Sequence, residues 1–328
     1  YTLTHAGYIK RLPTSEYRAQ GRGGKRVRAL TTREEDYVET VFTASTHDFI
    51  LFFTNMGRAY RQKGYHIPEA GKNAKGTNIV NILPLDPGEK VTAMVHTRDI
   101  EADDFVLVMV TKNGTCKRLN AVEFKNIRSS GIRALNLDEG DELISVCETK
   151  GEANILIATH DGYAICFDEN DVRTMGRAAT GVRGIRLREG DFCVGAVRAD
   201  EEGLLLSVTE NGYGKKTPIT EYLRGGEDAG PQKRGGMGLK NYNVTDKTGP
   251  VTGIKLVTDS HDLLLISDDG TIIRMDTASI STLGRSTQGV RLMRVSDGAK
   301  VISIALADKE DEDEDSDLPG EVPETPAE

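Results

Sequence analysis

"NILIATHDGYAICF", residues 154–167, sets a short apolar run ahead of Thr159-His160-Asp161-Gly162 and a second one behind it. Runs of four to six apolar residues fit strands rather than helices, and Asp-Gly between two of them is the turn of a β-hairpin, where glycine supplies the positive φ of a tight reversal. The device recurs. Gly7 in "THAGYIKR", Gly57 in "FTNMGRAYR", Gly114 in "TKNGTCKR", Gly162, Gly212 in "TENGYGKK" and Gly270 in "SDDGTIIR" follow one another at intervals of 50, 57, 48, 50 and 58 residues. Self-similarity at such a period marks a repeat architecture.

The rest of each unit repeats too. Apolar runs such as "FILFF" 49–53, "FVLVMV" 105–110, "LLLSV" 204–208 and "DLLLI" 262–266 precede the turns. A glycine-bracketed loop follows, as in "GKNAKG" 71–76, "GRAATGVRG" 176–184 and "GRSTQGVR" 284–291, and then an acidic glycine turn such as "LDEGDEL" or "LREGDFC" before another apolar run. About four strands per fifty residues predict an all-β fold of six radially arranged, four-stranded blades. A WD40 ring has the same period but needs a Trp-Asp pair in each blade, and the chain has no Trp.

Bulk composition fits this reading. The 328 residues suffice for a sizeable core, and 35 glycines suit many tight turns. The net charge of −9 is concentrated at one end: residues 308–328 hold eleven acids and one lysine, leaving 41 basic and 40 acidic residues in 1–307. We therefore read 1–307 as one domain and 308–328, "DKEDEDEDSD" and the three prolines after it, as a disordered acidic tail. Such a polyanion is expected to compete for a cationic surface on the body. Tyr1 in place of Met reads as a piece of a longer chain, and no run reaches membrane length. Cys116, Cys147, Cys166 and Cys193 lack any C-x-x-C spacing and read as buried free thiols; the six histidines are scattered, so neither a metal site nor a catalytic set is expected.

Cations recur at equivalent places in the repeat: Lys10 and Arg11, Arg58 and Arg61, Lys117 and Arg118, Arg183 and Arg186, Lys215 and Lys216, Arg274 and Arg285. If the repeats form a disk, these make a belt round its rim suited to the phosphates of duplex DNA wound about it, with little base readout. The densest cluster lies in "EYRAQGRGGKRVRALTTREED", where Gln20, Gly21, Arg22, Gly23, Gly24, Lys25 and Arg26 are adjacent. It is not a nucleotide P-loop: Arg26 follows Gly24-Lys25 where Ser or Thr is needed, and Gln20 stands in place of the first glycine. It reads as a basic anchor loop.

"AQGRGGKR", the six repeats and the acidic terminus together resemble the C-terminal domain of the DNA gyrase A chain, a likeness that also takes in "THDFILFFTNMGRAYR", "GVRGIRL" and "TENGYGKKT". The family's box is Gln-Arg-Arg-Gly-Gly-Lys-Gly. Gln20, Arg22, Gly23, Gly24 and Lys25 match it, while Gly21 replaces Arg and Arg26 replaces Gly. The resemblance implies a six-bladed β-pinwheel whose neighbouring blades exchange a strand, and a function in wrapping duplex DNA with positive handedness so that the parent type IIA topoisomerase can introduce negative supercoils. It implies no catalysis by this piece, the strand-cleaving tyrosine belonging to another part. It also implies no cofactor here, with ATP and Mg2+ used by the parent enzyme. The partners implied are the remainder of the gyrase A chain and the gyrase B chain, in an A2B2 assembly. The setting implied is the bacterial cytoplasm, at the nucleoid and not at a membrane. The alternatives are the C-terminal domain of topoisomerase IV, expected to have fewer blades, and a protein-binding propeller scaffold.

Overall fold

The computed structural model of the chain describes residues 1–14, 30–31, 36–200, 202–225, 227 and 229–309. Its strands form six antiparallel sheets of four strands each. In blade 3 the hairpin Val106–Thr111 and Thr115–Asn120 is flanked by Leu143–Thr149 on one side and by Val182–Arg183 on the other. The last of these comes from the chain segment that goes on to build the next blade. The same order repeats in the other five. The borrowed strand is Thr77–Asn78 in blade 1, Ile132–Arg133 in blade 2, Leu239–Lys240 in blade 4 and Val290–Arg291 in blade 5. Blade 6 is completed by Leu30–Thr31, which pairs with Thr271–Asp276 and so ties the end of the ring to its beginning.

The borrowed strands occupy the outer edge. At the opposite edge, the strands Val91–Thr97, Leu143–Thr149, Cys193–Arg198, Val251–Val257 and Val301–Asp308 each touch their successor around the axis, and the last touches Val38–Val41 of blade 1. Phe42 stacks on His96 at 5.2 Å between ring centroids, joining blades 1 and 2 at this inner edge. The inner strands come so close that a Cβ added to Gly195 would stand 3.0 Å from Ile254 Cγ1.

Hydrophobic packing lies between blades rather than within them. Leu107 and Met109 pack toward blade 2, whereas Val108 and Val110 pack toward blade 4. Leu205 likewise faces blade 4 and Leu206 faces blade 6. A strand sandwiched in this way buries both faces, which is why its sequence is a continuous apolar run with no polar alternation. Each such buried side chain contributes about 1.5–3 kcal/mol. At the blade 6 to blade 1 interface the described buried cluster is Tyr37, Ile266 and Ala305.

The hairpin turns hold neighbouring blades in register. Gly162 has φ of 96° and its carbonyl accepts the N–H groups of Asn241 and Tyr242 from the following segment; an added Cβ would lie 2.6 Å from Tyr242 O. The threonine that opens the turn, Thr159, accepts the Tyr163 N–H at 3.2 Å, as Thr111 does from Thr115 at 3.1 Å. The acidic turns are hairpin-tip caps: Asp191 Oδ1 accepts from Asp161 N–H and Phe192 N–H, and Asp141 Oδ1 from Asn113 N–H and Glu142 N–H. The four cysteines are free thiols, three of them buried and Cys147 half-buried. The final strand runs through Asp308, one residue into the segment read as tail, and residues 310–328, which carry most of that acidic tail, lie outside the described residues.

Candidate nucleic-acid interface

In blades 1 to 5 the borrowed strand follows a loop closed by a glycine, Gly76, Gly131, Gly181, Gly238 or Gly289. The first residue of that strand is half-buried in blades 1 to 4, as at Val182, and exposed in blade 5, at Val290. The second points the other way, as strand geometry requires. In blades 2 to 5 that second residue is Arg133, Arg183, Lys240 and Arg291, all four exposed. These are equivalent positions on the outer edge of successive blades. Of the four, the sequence reading singled out only Arg183, although Gly-apolar-cation recurs as "GIR", "GVR", "GLK" and "GVR" at 131–133, 181–183, 238–240 and 289–291.

The lysines that follow the hairpin turns have another role, and here the structure corrects the sequence reading. Lys117 and Lys215 are both 0% exposed. Lys117 Nζ donates to Ala134 O, Arg177 O and Ala179 O at 2.8–2.9 Å; Lys215 Nζ donates to Gly284 O, Arg285 O and Thr287 O at 2.7–2.9 Å. Lys10, half-buried, makes the same three bonds to Gly71 O, Lys72 O and Ala74 O. The ammonium groups of blades 1, 3 and 5 thus hold the glycine loops from within. Burial pulls the Lys215 pKa down to about 7 and that of Lys117 to about 8, with the Arg285 and Arg177 guanidiniums adding to the effect.

Arg118 and Lys216 are corrected likewise. They are 7% and 4% exposed, because the exit strand is an inner member of a blade packed on both sides. Arg118 Nε lies 3.1 Å from the fully buried Glu169 and its Nη1 donates to Val172 O. The other expected cations are partly committed to the protein. Arg11 donates to Ile67 O and pairs with Glu69, Arg58 pairs with Asp86, Arg61 donates to Lys125 O, and Arg274 pairs with Asp262 at 2.8 Å. Arg285 donates to Lys240 O at 3.0 Å, while Arg183 and Arg186 are exposed. Gln20, Arg22, Gly23, Gly24, Lys25 and Arg26 lie outside the described residues. Their place in the chain is informative: Gly24-Lys25 precedes Leu30 by the offset at which Gly176-Arg177 precedes Val182 and Gly284-Arg285 precedes Val290. The box therefore stands in sequence where the units of blades 1, 3 and 5 carry Gly71-Lys72, Gly176-Arg177 and Gly284-Arg285.

Among the described residues, His160, Asp161 and Asp191 bring metal-type donor atoms within 4.8 Å of one another, but Asp191 Oδ1 is occupied by two backbone N–H groups. No helix among them is long and apolar enough to cross a membrane.

The family model for the DNA gyrase C-terminal domain, a beta-propeller, matches six segments of the chain, 1–45, 48–98, 106–146, 153–200, 203–258 and 261–308. One match falls on the hairpin of each blade. The chain belongs to the DNA gyrase C-terminal domain family. It is 52% identical over 323 residues to the gyrase A chain of Clostridium acetobutylicum, covering 98% of this chain and 38% of that protein, so it spans well under half of its relative. Among solved structures, the C-terminal domain of DNA topoisomerase IV matches with a TM-score of 0.80 at 25% identity, covering 94% of this chain and 92% of that one. A DNA gyrase A C-terminal domain matches with a TM-score of 0.70 at 27% identity, over 93% of this chain and 98% of that one. Both topoisomerase types thus share the architecture, and blade count does not separate them. The 52% identity to a gyrase A chain does.

Proposed function

We propose that this gyrase C-terminal domain binds duplex DNA without sequence specificity and bends it around the outer edge of the ring. The observation that carries this reading is the exposed cation at the second position of four successive borrowed strands, Arg133, Arg183, Lys240 and Arg291. Evenly repeated positive charge on a curved edge matches a polyanion of even charge spacing, and contacts to phosphate position DNA without reading bases. Turning 20–30 bp through 40–90° costs about 1–6 kcal/mol. No single blade offsets that, so the contacts must be distributed, as these are. Positive handedness of the wrap, delivery of a second segment to the parent enzyme and negative supercoiling follow for this chain from its family. So do the non-catalytic role of the module, the ATP and Mg2+ of the whole enzyme, its A2B2 assembly with the gyrase B chain and its place at the bacterial nucleoid.

Measuring duplex affinity at several salt concentrations tests the reading. The expected result is a steep loss, with a slope of about −0.9 for each phosphate neutralised and little dependence on DNA sequence. Salt-independent binding, or none, would favour a protein-recognition face instead.

A further inference from the structure

Between the glycine loops of blades 2 and 3 lies an open recess of about 590 Å³, a size typical of ligand pockets. Nine residues line it; four are arginines, Arg61, Arg128, Arg133 and Arg177, and none is a carboxylate. Arg61 Nη1 is held by Lys125 O at 2.8 Å, and its guanidinium also lies 4.6 Å from the centre of the Phe49 ring, which fixes it in place. Arg177 Nε is buried and has no hydrogen-bond partner, and its Nη1 makes only a long 3.5 Å contact to Arg133 O. The Lys117 ammonium sits behind the loop, bonded to Arg177 O and close enough for the two charges to repel. The exposed Glu123 is the carboxylate that acts on Lys117 from outside the recess.

The equivalent Arg285 also has an orphaned Nε, but there Glu221 Oε1 stands 3.4 Å from the Arg285 backbone N–H and supplies negative charge. Arg58, next to the recess through its bond to Ser130 O, is answered by Asp86 at 3.5 Å. The blade 2 to blade 3 recess differs in gathering arginines without a carboxylate in its wall. Arg61 also borders a neighbouring recess that contains Asp99 and Glu101, but Arg128, Arg133 and Arg177 face a wall without a carboxylate; with a buried donor that has no acceptor they call for an anion, and planar guanidiniums suit phosphate oxygens best.

We propose that this recess is a discrete anion site that takes one phosphate group, gripped by Arg128, Arg133 and Arg177. The group is either a phosphodiester of bound duplex or part of a small polyphosphate; the duplex source rests on the DNA-binding reading above, and the site itself does not.

The test is calorimetric titration of the whole chain with inorganic pyrophosphate at fixed ionic strength. One saturable site is expected, weakened about tenfold by Arg177→Gln, and by the exposed Arg128→Gln, whose fold is the less disturbed. Arg285→Gln should leave it unchanged. Pyrophosphate that displaces duplex assigns the site to the DNA backbone; pyrophosphate and duplex bound together assign it to a small polyphosphate. Unsaturable pyrophosphate binding, or binding equal in all three variants, overturns the site even where duplex binding is intact. Saturable pyrophosphate binding without any duplex binding upholds the site and removes the DNA reading.

Discussion

At the scale of single residues, the buried lysines set the behaviour of the loops. Lys215 stands at 0% exposure with a pKa of about 7, whereas in the unfolded chain it titrates at 10.5. Between these values the unfolded state binds a proton that the folded state has released, so this residue makes stability rise with pH from about 7 to 10.5; its contribution falls as pH drops across that window and is level below about 7, where both states are protonated. Lys117 acts in the same direction from about 8. Replacing Lys215 with Met leaves three loop carbonyls without their donor, at about 1–3 kcal/mol. It also abolishes the linkage. The gap in melting temperature between wild type and Lys215→Met should therefore widen from pH 7 to pH 9.5. A constant gap would show that the ammonium is not disfavoured by its site.

This placement was only half legible. A lysine after a hairpin turn looks like a solvated strand end whether it is buried or not. The missed signal is the company it keeps: the third residue after the turn glycine is Lys10, Tyr60, Lys117, Ile165, Lys215 and Ile273 along the six units. A position shared by lysine, tyrosine and isoleucine is an interior position whose lysine has to find carbonyls.

At the scale of elements, the two-residue borrowed strand joins successive blades, and in blades 2 to 5 it carries the cations to which DNA binding is assigned in the function proposed above. In blades 2 to 4 its first residue is half-buried and its second exposed, and in blades 1, 3 and 5 a lysine of the hairpin it joins holds the loop before it. Hairpins, acidic turns and the count of six could be read from the sequence because each carries a run of apolar residues or a fixed turn signal. A strand of two residues carries neither, so the cations on it were missed except for Arg183. Arg133→Gln, Arg183→Gln, Lys240→Gln and Arg291→Gln should each weaken duplex binding about equally for all DNA sequences and make the salt slope shallower by about 0.9. Lys90→Gln, an exposed lysine on the acidic turn that leads into the inner-edge strand Val91–Thr97, should leave the slope as it is. Salt titrations of binding would show this. Unaltered slopes in the four rim variants would move the DNA off the outer edge.

At the scale of the whole molecule, closure of the ring could not be read from the sequence, because it depends on which strand a distant segment joins. Leu30–Thr31 supplies the answer by completing blade 6 from within the first unit. The box residues 20–26 therefore lead directly into the strand that closes the ring, at the interface whose described core is Tyr37, Ile266 and Ala305. Ring closure and the start of the cationic edge meet at one place in the chain. In the function proposed above, this edge curves DNA with one handedness. Nicked circles sealed by ligase in the presence of the chain, then freed of protein, report it directly. The expected result is a topoisomer distribution shifted to higher linking number in proportion to added protein, and a much smaller shift with Arg133, Arg183, Lys240 and Arg291 all changed to Gln. A distribution that stays centred where protein-free circles lie, at protein concentrations that saturate the DNA, would contradict it.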